Sequence, residues 1–236
     1  MQEEKHLNEF VDRLKKTAGA NLVSLVLYGS AVTQEFHAEF SDINMLCVMG
    51  ELAPAHLAAL APAINYWTRS GHPAPLIFPR HEVERAADVF AIEMLDIKQQ
   101  HRILFGEDIF QDLRVPMDRH RIQLEHELRT KLLFLRQHYL LSSGDNKRVL
   151  NLMLDSVSNF ITLFRHTLIT MGEVPQKTKR EIVQQLAAKL GFDAKPFLDL
   201  LEVREHKLKA DALDAQAVFS GYLQAIEKVI QAVDAL

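Results

Sequence analysis

Residues 25–49 read LVLYGSAVTQEFHAEFSDINMLCVM. An apolar run ends at Gly29-Ser30, a polar spacer follows, and apolar sequence resumes behind Asp42-Ile43-Asn44. The pattern predicts one strand over 22–28 and a second over 43–49, closed by Gly50. Successive side chains of a strand point to opposite faces, so Asp42 and Asn44 share one face while Ile43 and Met45 share the other. Gly29 allows a tight turn in which backbone can come close to a phosphate. The Ser30 hydroxyl and nearby N–H groups can bind anionic oxygens. An acidic residue just beyond such a turn is what a metal-and-phosphate site requires. The strong form of that site is Asp-x-Asp, and here it is Asp-x-Asn.

The flanking sequence supplies the rest of an α/β unit. Residues 3–18 predict a helix, because Leu7, Phe10, Val11 and Leu14 fall on one face. An Ala-rich helix ends near Gly71, with Pro62 expected to kink or split it. APLIF (74–78) predicts a short strand, RHEVERAADVF (80–90) a short helix or turn, and AIEMLDI (91–97) a fourth strand. On that fourth strand Glu93, Leu95 and Ile97 would share one face and Ile92, Met94 and Asp96 the other, so only one of Glu93 and Asp96 could join a site. Strands alternating with helices imply a mixed or parallel sheet.

The pattern changes near DLRVPMD (112–118). Beyond it the periodicity predicts helices only: near 118–141, 147–171, 175–190, 194–208 and 211–235, with a break at 142–146. The expected organisation is an α/β (α+β) domain over 1–115 and an all-α bundle over 116–236.

The net charge of −4 offers no bulk attraction to nucleic acid or to an anionic membrane. No basic stripe interleaved with aromatics marks a nucleic-acid track. The single Cys47 excludes a disulfide framework and reads as a small buried hydrophobe. The first residues lack the apolar core of a secretory signal, and no apolar run reaches the roughly 20 residues of a membrane span. The expectation is a cytoplasmic protein without a membrane partner. Zinc has no support, since no HExxH or Cys/His pairing occurs.

The strand, Gly29-Ser30, the spacer and Asp42-Ile43-Asn44 together resemble the polymerase-beta-like nucleotidyltransferase superfamily. The order of an α/β domain and then a helical domain resembles the antibiotic adenylyltransferases, kanamycin nucleotidyltransferase among them. The resemblance implies a nucleotidyltransferase-type mixed-sheet domain and Mg²⁺-dependent transfer of a nucleoside monophosphate from a nucleoside triphosphate to a small-molecule or protein acceptor. It implies Asp42, Asn44 and Glu93 as metal ligands and catalytic residues, and Gly29 and Ser30 as triphosphate contacts. Asn44 departs from the superfamily pattern: an amide oxygen can ligate Mg²⁺, but as a neutral donor. That departure leaves a second reading open, a catalytically inactive nucleotide-binding regulator or interaction protein. The homodimer option also stays open.

Two features of the helical half add candidates. Asn151, Asp155, Ser158, Asn159, Thr162 and His166 recur at helical spacing as a polar stripe on an apolar helix. The bland reading is a solvated face. The sharper one is an acceptor-facing stripe; the resemblance implies that a helical-domain carboxylate can act as general base, and Asp155 is the only acid on this stripe. Arg129 and Arg136 are candidate phosphate contacts, although Glu125 and Arg129 sit at the spacing of an ordinary surface ion pair.

Overall fold

In the computed structural model, residues 2–33, 42–142 and 144–236 are described. The polar spacer expected to lead to Asp42 lies, over 34–41, outside the described residues, as does Ser143 in the expected break. The chain divides into two compact units, Met1–Met117 and Asp118–Leu236.

The first unit is a three-layer sandwich. Its elements run α1 (Gln2–Ala18), β1 (Leu22–Tyr28), β2 (Asn44–Met49), α2 (Pro54–Thr68), β3 (Leu76–Pro79), α3 (Arg80–Ala86), α4 (Ala91–Gln99) and β4 (His101–Gly106). The sheet order is β3-β2-β1-β4. β1 is antiparallel to both β2 and β4, and β2 is parallel to β3, so the sheet is mixed. Alternation assigns the strand side chains to two cores. Leu25, Leu27, Met45, Cys47 and Met49 pack with Leu7, Phe10 and Leu14 of α1 and with Leu60 and Trp67 of α2. Val26, Leu46 and Val48 pack on the other face with Val83 of α3, Met94 and Ile97 of α4, and Phe110.

Two expectations are corrected here. The segment 91–97 is not a strand but part of α4, and the fourth strand is β4, ten residues later in the chain than the segment expected. Burial explains the difference. Ala91, Ile92, Met94 and Ile97 are buried, a spacing that fits one helical face and not the two-residue period of a strand. Pro62 neither splits α2 nor ends it: the helix runs through it from Pro54 to Thr68, with Pro62 on the exposed side.

Five helices make the second unit: α5 (His120–Leu141), α6 (Asn146–Thr170), α7 (Lys179–Leu190), α8 (Lys195–Arg204) and α9 (Ala215–Asp234). α6 is central and packs against the other four. Capping side chains start three of them. Asp145 accepts from the Lys147 and Arg148 N–H groups, Thr178 and Glu181 form a reciprocal box, and Asp214 accepts from Gln216 and Ala217.

Gly106 closes β4 at φ +80°, and a Cβ there would lie 1.9 Å from the Val23 carbonyl oxygen. Backbone cannot retreat as a flexible side chain can. Gly106→Ala is therefore expected to lower stability by on the order of 3 kcal/mol, read as a fall in the urea midpoint, while the equally exposed-backbone control Gly144→Ala, whose Cβ meets nothing within 4 Å, loses less.

Candidate active site at the end of the sheet

The candidate site forms where β1 ends. Tyr28 is its last residue, and the chain then enters a single 3-10 turn over Gly29–Val32. Gly29 adopts φ +76°, the left-handed region that glycine enters without a Cβ clash. The turn is closed by Thr33, whose N–H and hydroxyl both donate to the Ser30 carbonyl at 3.1 Å.

Strand register determines what stands beside the turn. Tyr28 pairs with Asn44 on β2 and with His101 on β4. Directly paired residues lie on one face, so Asn44, Tyr28 and His101 form a row across the sheet. Asn44 is close enough to the turn that a Cβ on Gly29 would stand 3.3 Å from its amide nitrogen. Asp42 precedes β2 by two residues and is exposed.

Glu93 reaches this end of the sheet by a different route from the one expected. It sits half-buried in the first turn of α4, the helix whose Met94 and Ile97 pack on the face that carries the Tyr28 row. A carboxylate in a first helical turn meets the positive end of the helix dipole. Its negative charge is felt by Tyr28: the phenol is pushed up to about 12, first by burial and then by Glu93. On a helix Glu93 and Asp96 are i, i+3 neighbours, so the exclusive choice between them that a strand would impose does not apply.

Sequence reasoning missed Tyr28 and His101. The dipeptide Tyr28-Gly29 was in view, yet Tyr28 read as an ordinary strand residue. His101 was invisible because its strand was not foreseen. In the structure the His101 ring nitrogens lie 2.7 Å from the Ile97 carbonyl and 3.1 Å from the Asp108 carboxylate, which also accepts from the Phe110 N–H.

The helical-unit candidates have other occupations. Arg129 pairs with Glu125 at 2.8 Å and Asp234 at 3.4 Å, and Arg136 with Glu227 at 2.7 Å. A phosphate role would require each to exchange a carboxylate partner. The polar stripe of α6 divides. Ser158 accepts from buried Arg204 at 2.7 Å, and His166 is buried 2.8 Å from His120. Asn151, Asp155 and Asn159 are exposed, and Asp155 lies within electrostatic reach of Arg204.

The chain is similar, over nearly its whole length, to a solved spectinomycin adenyltransferase, AAD(9), from Enterococcus faecialis. The two are 14% identical, with a TM-score of 0.56, and the match covers 98% of this chain and 99% of the other. That structure was determined with ATP and spectinomycin. This chain has the two-part nucleotidyltransferase fold. No family model and no curated protein matches it.

The Tyr28 environment gives a pH-dependent prediction. Its phenol loses a proton near the ordinary value of 10 when unfolded but near 12 when folded. The folded state thus holds the proton more tightly. The contribution is intact below pH 10 and is lost as pH rises toward 12. Its size is on the order of 2 kcal/mol. Urea unfolding at pH 8 and pH 11 is expected to show a smaller loss of stability for Tyr28→Phe than for the unmodified protein; equal losses would remove Tyr28 from this account.

Proposed function

We propose that this chain is a nucleotidyltransferase that binds a nucleoside triphosphate at the Gly29-Ser30 turn and transfers its nucleoside monophosphate to a small-molecule acceptor. The observation that carries the reading is the left-handed Gly29 turn packed against Asn44, in the row Asn44–Tyr28–His101 whose Tyr28 feels the charge of Glu93. The fold shared with an enzyme solved with ATP and spectinomycin supports both ligand classes.

The chain's own groups divide the work. Backbone N–H groups and the Ser30 hydroxyl hold phosphate oxygens at the turn. An acceptor hydroxyl attacks the α-phosphorus in line, the bond to the bridging oxygen breaks, and pyrophosphate leaves. The acceptor proton passes to a carboxylate, for which Glu93 is the candidate in the first unit. Tyr28 stays neutral at physiological pH and keeps its O–H within electrostatic reach of Glu93.

The fold implies Mg²⁺, and the donor set is hard oxygen throughout: the Asp42 and Glu93 carboxylates and the Asn44 amide oxygen. That chemistry fits Mg²⁺. It is a depleted set, and among the described residues no group of three or more His, Cys, Asp or Glu side chains could hold a metal. When bound, the ion would supply neutralising charge to the triphosphate. Asn44 also favours a second reading, a protein that binds the nucleotide and signals by binding alone, because a missing carboxylate weakens metal-dependent turnover more than phosphate contact.

Calorimetry with Mg-ATP and Mg-GTP, and pyrophosphate release with all four triphosphates, separate the readings. Binding with release supports the transferase, binding without release supports the regulator, and no binding by folded protein overturns both. Asn44→Asp is nearly isosteric and adds one charge among oxygen donors. A unit charge near a divalent ion is worth several kcal/mol at an effective dielectric near 20. The variant is expected to lose stability without Mg²⁺, through repulsion from Asp42, and to gain more than the unmodified protein across a Mg²⁺ titration followed by thermal unfolding. An equal gain would show that Asn44 lines no metal site.

A further inference from the structure

We propose that His101 is a positioning residue that sets where Glu93 stands relative to Tyr28 and Asn44. The proposal rests on the site reading above and adds a residue to it. Three observations meet at this side chain.

First, His101 is in register with Tyr28, so its backbone is tied to the row that contains Asn44. Second, its ring grips the end of α4. The ring Nδ1 is 2.7 Å from the carbonyl of Ile97, one of the last-turn acceptors that a helix leaves without an internal donor. Third, its other nitrogen is 3.1 Å from Asp108, and Asp108 is itself fixed by the Phe110 N–H. The Phe110 ring lies 5.3 Å from the imidazole and belongs to the core beneath α4. Both polar partners of the ring can only accept, so the restraint on α4 requires the hydrogen on Nδ1, which donates to the Ile97 carbonyl. The His101 side chain is 15% exposed and its contact to Ile97 is half-buried, whereas the contact to Asp108 is exposed.

The consequence for Glu93 follows from the length of α4. The helix is only nine residues long, and the chain passes from Gln99 to His101 through one residue. A helix this short moves as a body. Lys98, which donates to the Leu113 carbonyl at 2.6 Å, restrains the same end toward the 107–115 segment. His101 restrains it toward the Tyr28 row. Rotation or sliding of α4 along the sheet is what would carry Glu93 away from Tyr28, and the His101 bond to Ile97 opposes that movement.

Position can be read without catalysis. The chain has four tyrosines, so labelling with ¹³C at the ring Cζ yields four resonances, and Tyr28→Phe assigns one of them. At neutral pH, Glu93→Gln is expected to shift the Tyr28 resonance, since Glu93 is the charge that Tyr28 feels. His101→Ala is expected to shift it in the same direction. In the double variant His101→Ala should add little, because the charge whose position it controls is gone. His101→Gln, which keeps an amide donor for the Ile97 carbonyl, should return most of the shift. Should His101→Ala fail to fold, Asp108→Asn, which alters one atom of the latch, takes its place in the same cycle. Additive shifts in the double variant, or no shift from loss of His101, would overturn the proposal. A Tyr28 resonance indifferent to Glu93→Gln would overturn it as well. The cycle needs no nucleotide, so triphosphate titrations of the unmodified protein test the functional reading separately. With turnover in hand, the same substitution should lower kcat and leave KM unchanged.

Discussion

The first unit depends on the pairing of β1 with strands on both of its edges. β1 is the only strand with two antiparallel neighbours among the described residues, and its last residue, Tyr28, is matched to Asn44 on one side and His101 on the other. A shift of one residue would turn every side chain of a strand to the opposite face. It would carry Leu25 and Leu27 away from Trp67 and Phe10, and it would carry Asn44 away from Gly29. The two apolar cores, both well filled, hold this register, and the polar row at the sheet end inherits it. The precision of the site is a by-product of hydrophobic alternation several residues away.

Where sequence reasoning succeeded, one physical signal dominated. LVSLVLY and NMLCVM are apolar on both faces because both faces are covered, and Gly29 and Gly50 mark their ends. The left-handed turn at Gly29 follows from the end of the first of those strands. The failure at 91–97 arose where two periods compete. Over seven residues, AIEMLDI offers apolar residues to either template, and only tertiary packing of Met94 and Ile97 on Val26 and Val48 decides for helix. β4 was hidden for the opposite reason. HRILFG is an edge strand, mostly half-buried, and it lacks alternation strong enough to announce itself. Losing β4 meant losing His101, whereas Glu93 was named from the family resemblance, on an element that was misread.

The helical unit teaches a related lesson about polar residues on a long helix. The α6 stripe looked like one surface, yet its members have separate duties. Thr170 donates its hydroxyl proton to the His166 carbonyl, so its oxygen is free to accept from His120 Nδ1 at 3.0 Å. His120 Nε2 then accepts from His166 Nδ1, and the start of α5 is bound to the end of α6 by a chain of donors that all run one way. Arg204 performs the comparable task for α8, donating to the Leu154 carbonyl and Ser158 while nearly removed from solvent. Desolvation lowers its pKa, and the nearby Asp155 charge acts in the other direction. A buried cation of this kind is costly unless fully hydrogen-bonded. Spacing alone could not separate these structural polar groups from the exposed ones, because all of them fit the same helical period.

Asn44 joins the two halves of the functional argument. On the proposed reading, an acid at that position would add a second carboxylate two residues from Asp42, and in the absence of cation their repulsion would act against the pairing of β1 and β2 at Tyr28 and Asn44. The amide removes that repulsion. It also fills the space over Gly29 with a group that can donate as well as accept. A carboxylate that only accepts would face phosphate oxygens with a like charge, while an amide N–H can meet them with a hydrogen bond. The same substitution that weakens a divalent-cation site therefore improves the electrostatic fit for an anion bound without one. On the proposed reading, the chemistry at Asn44 shifts the balance from holding a metal toward holding a phosphate.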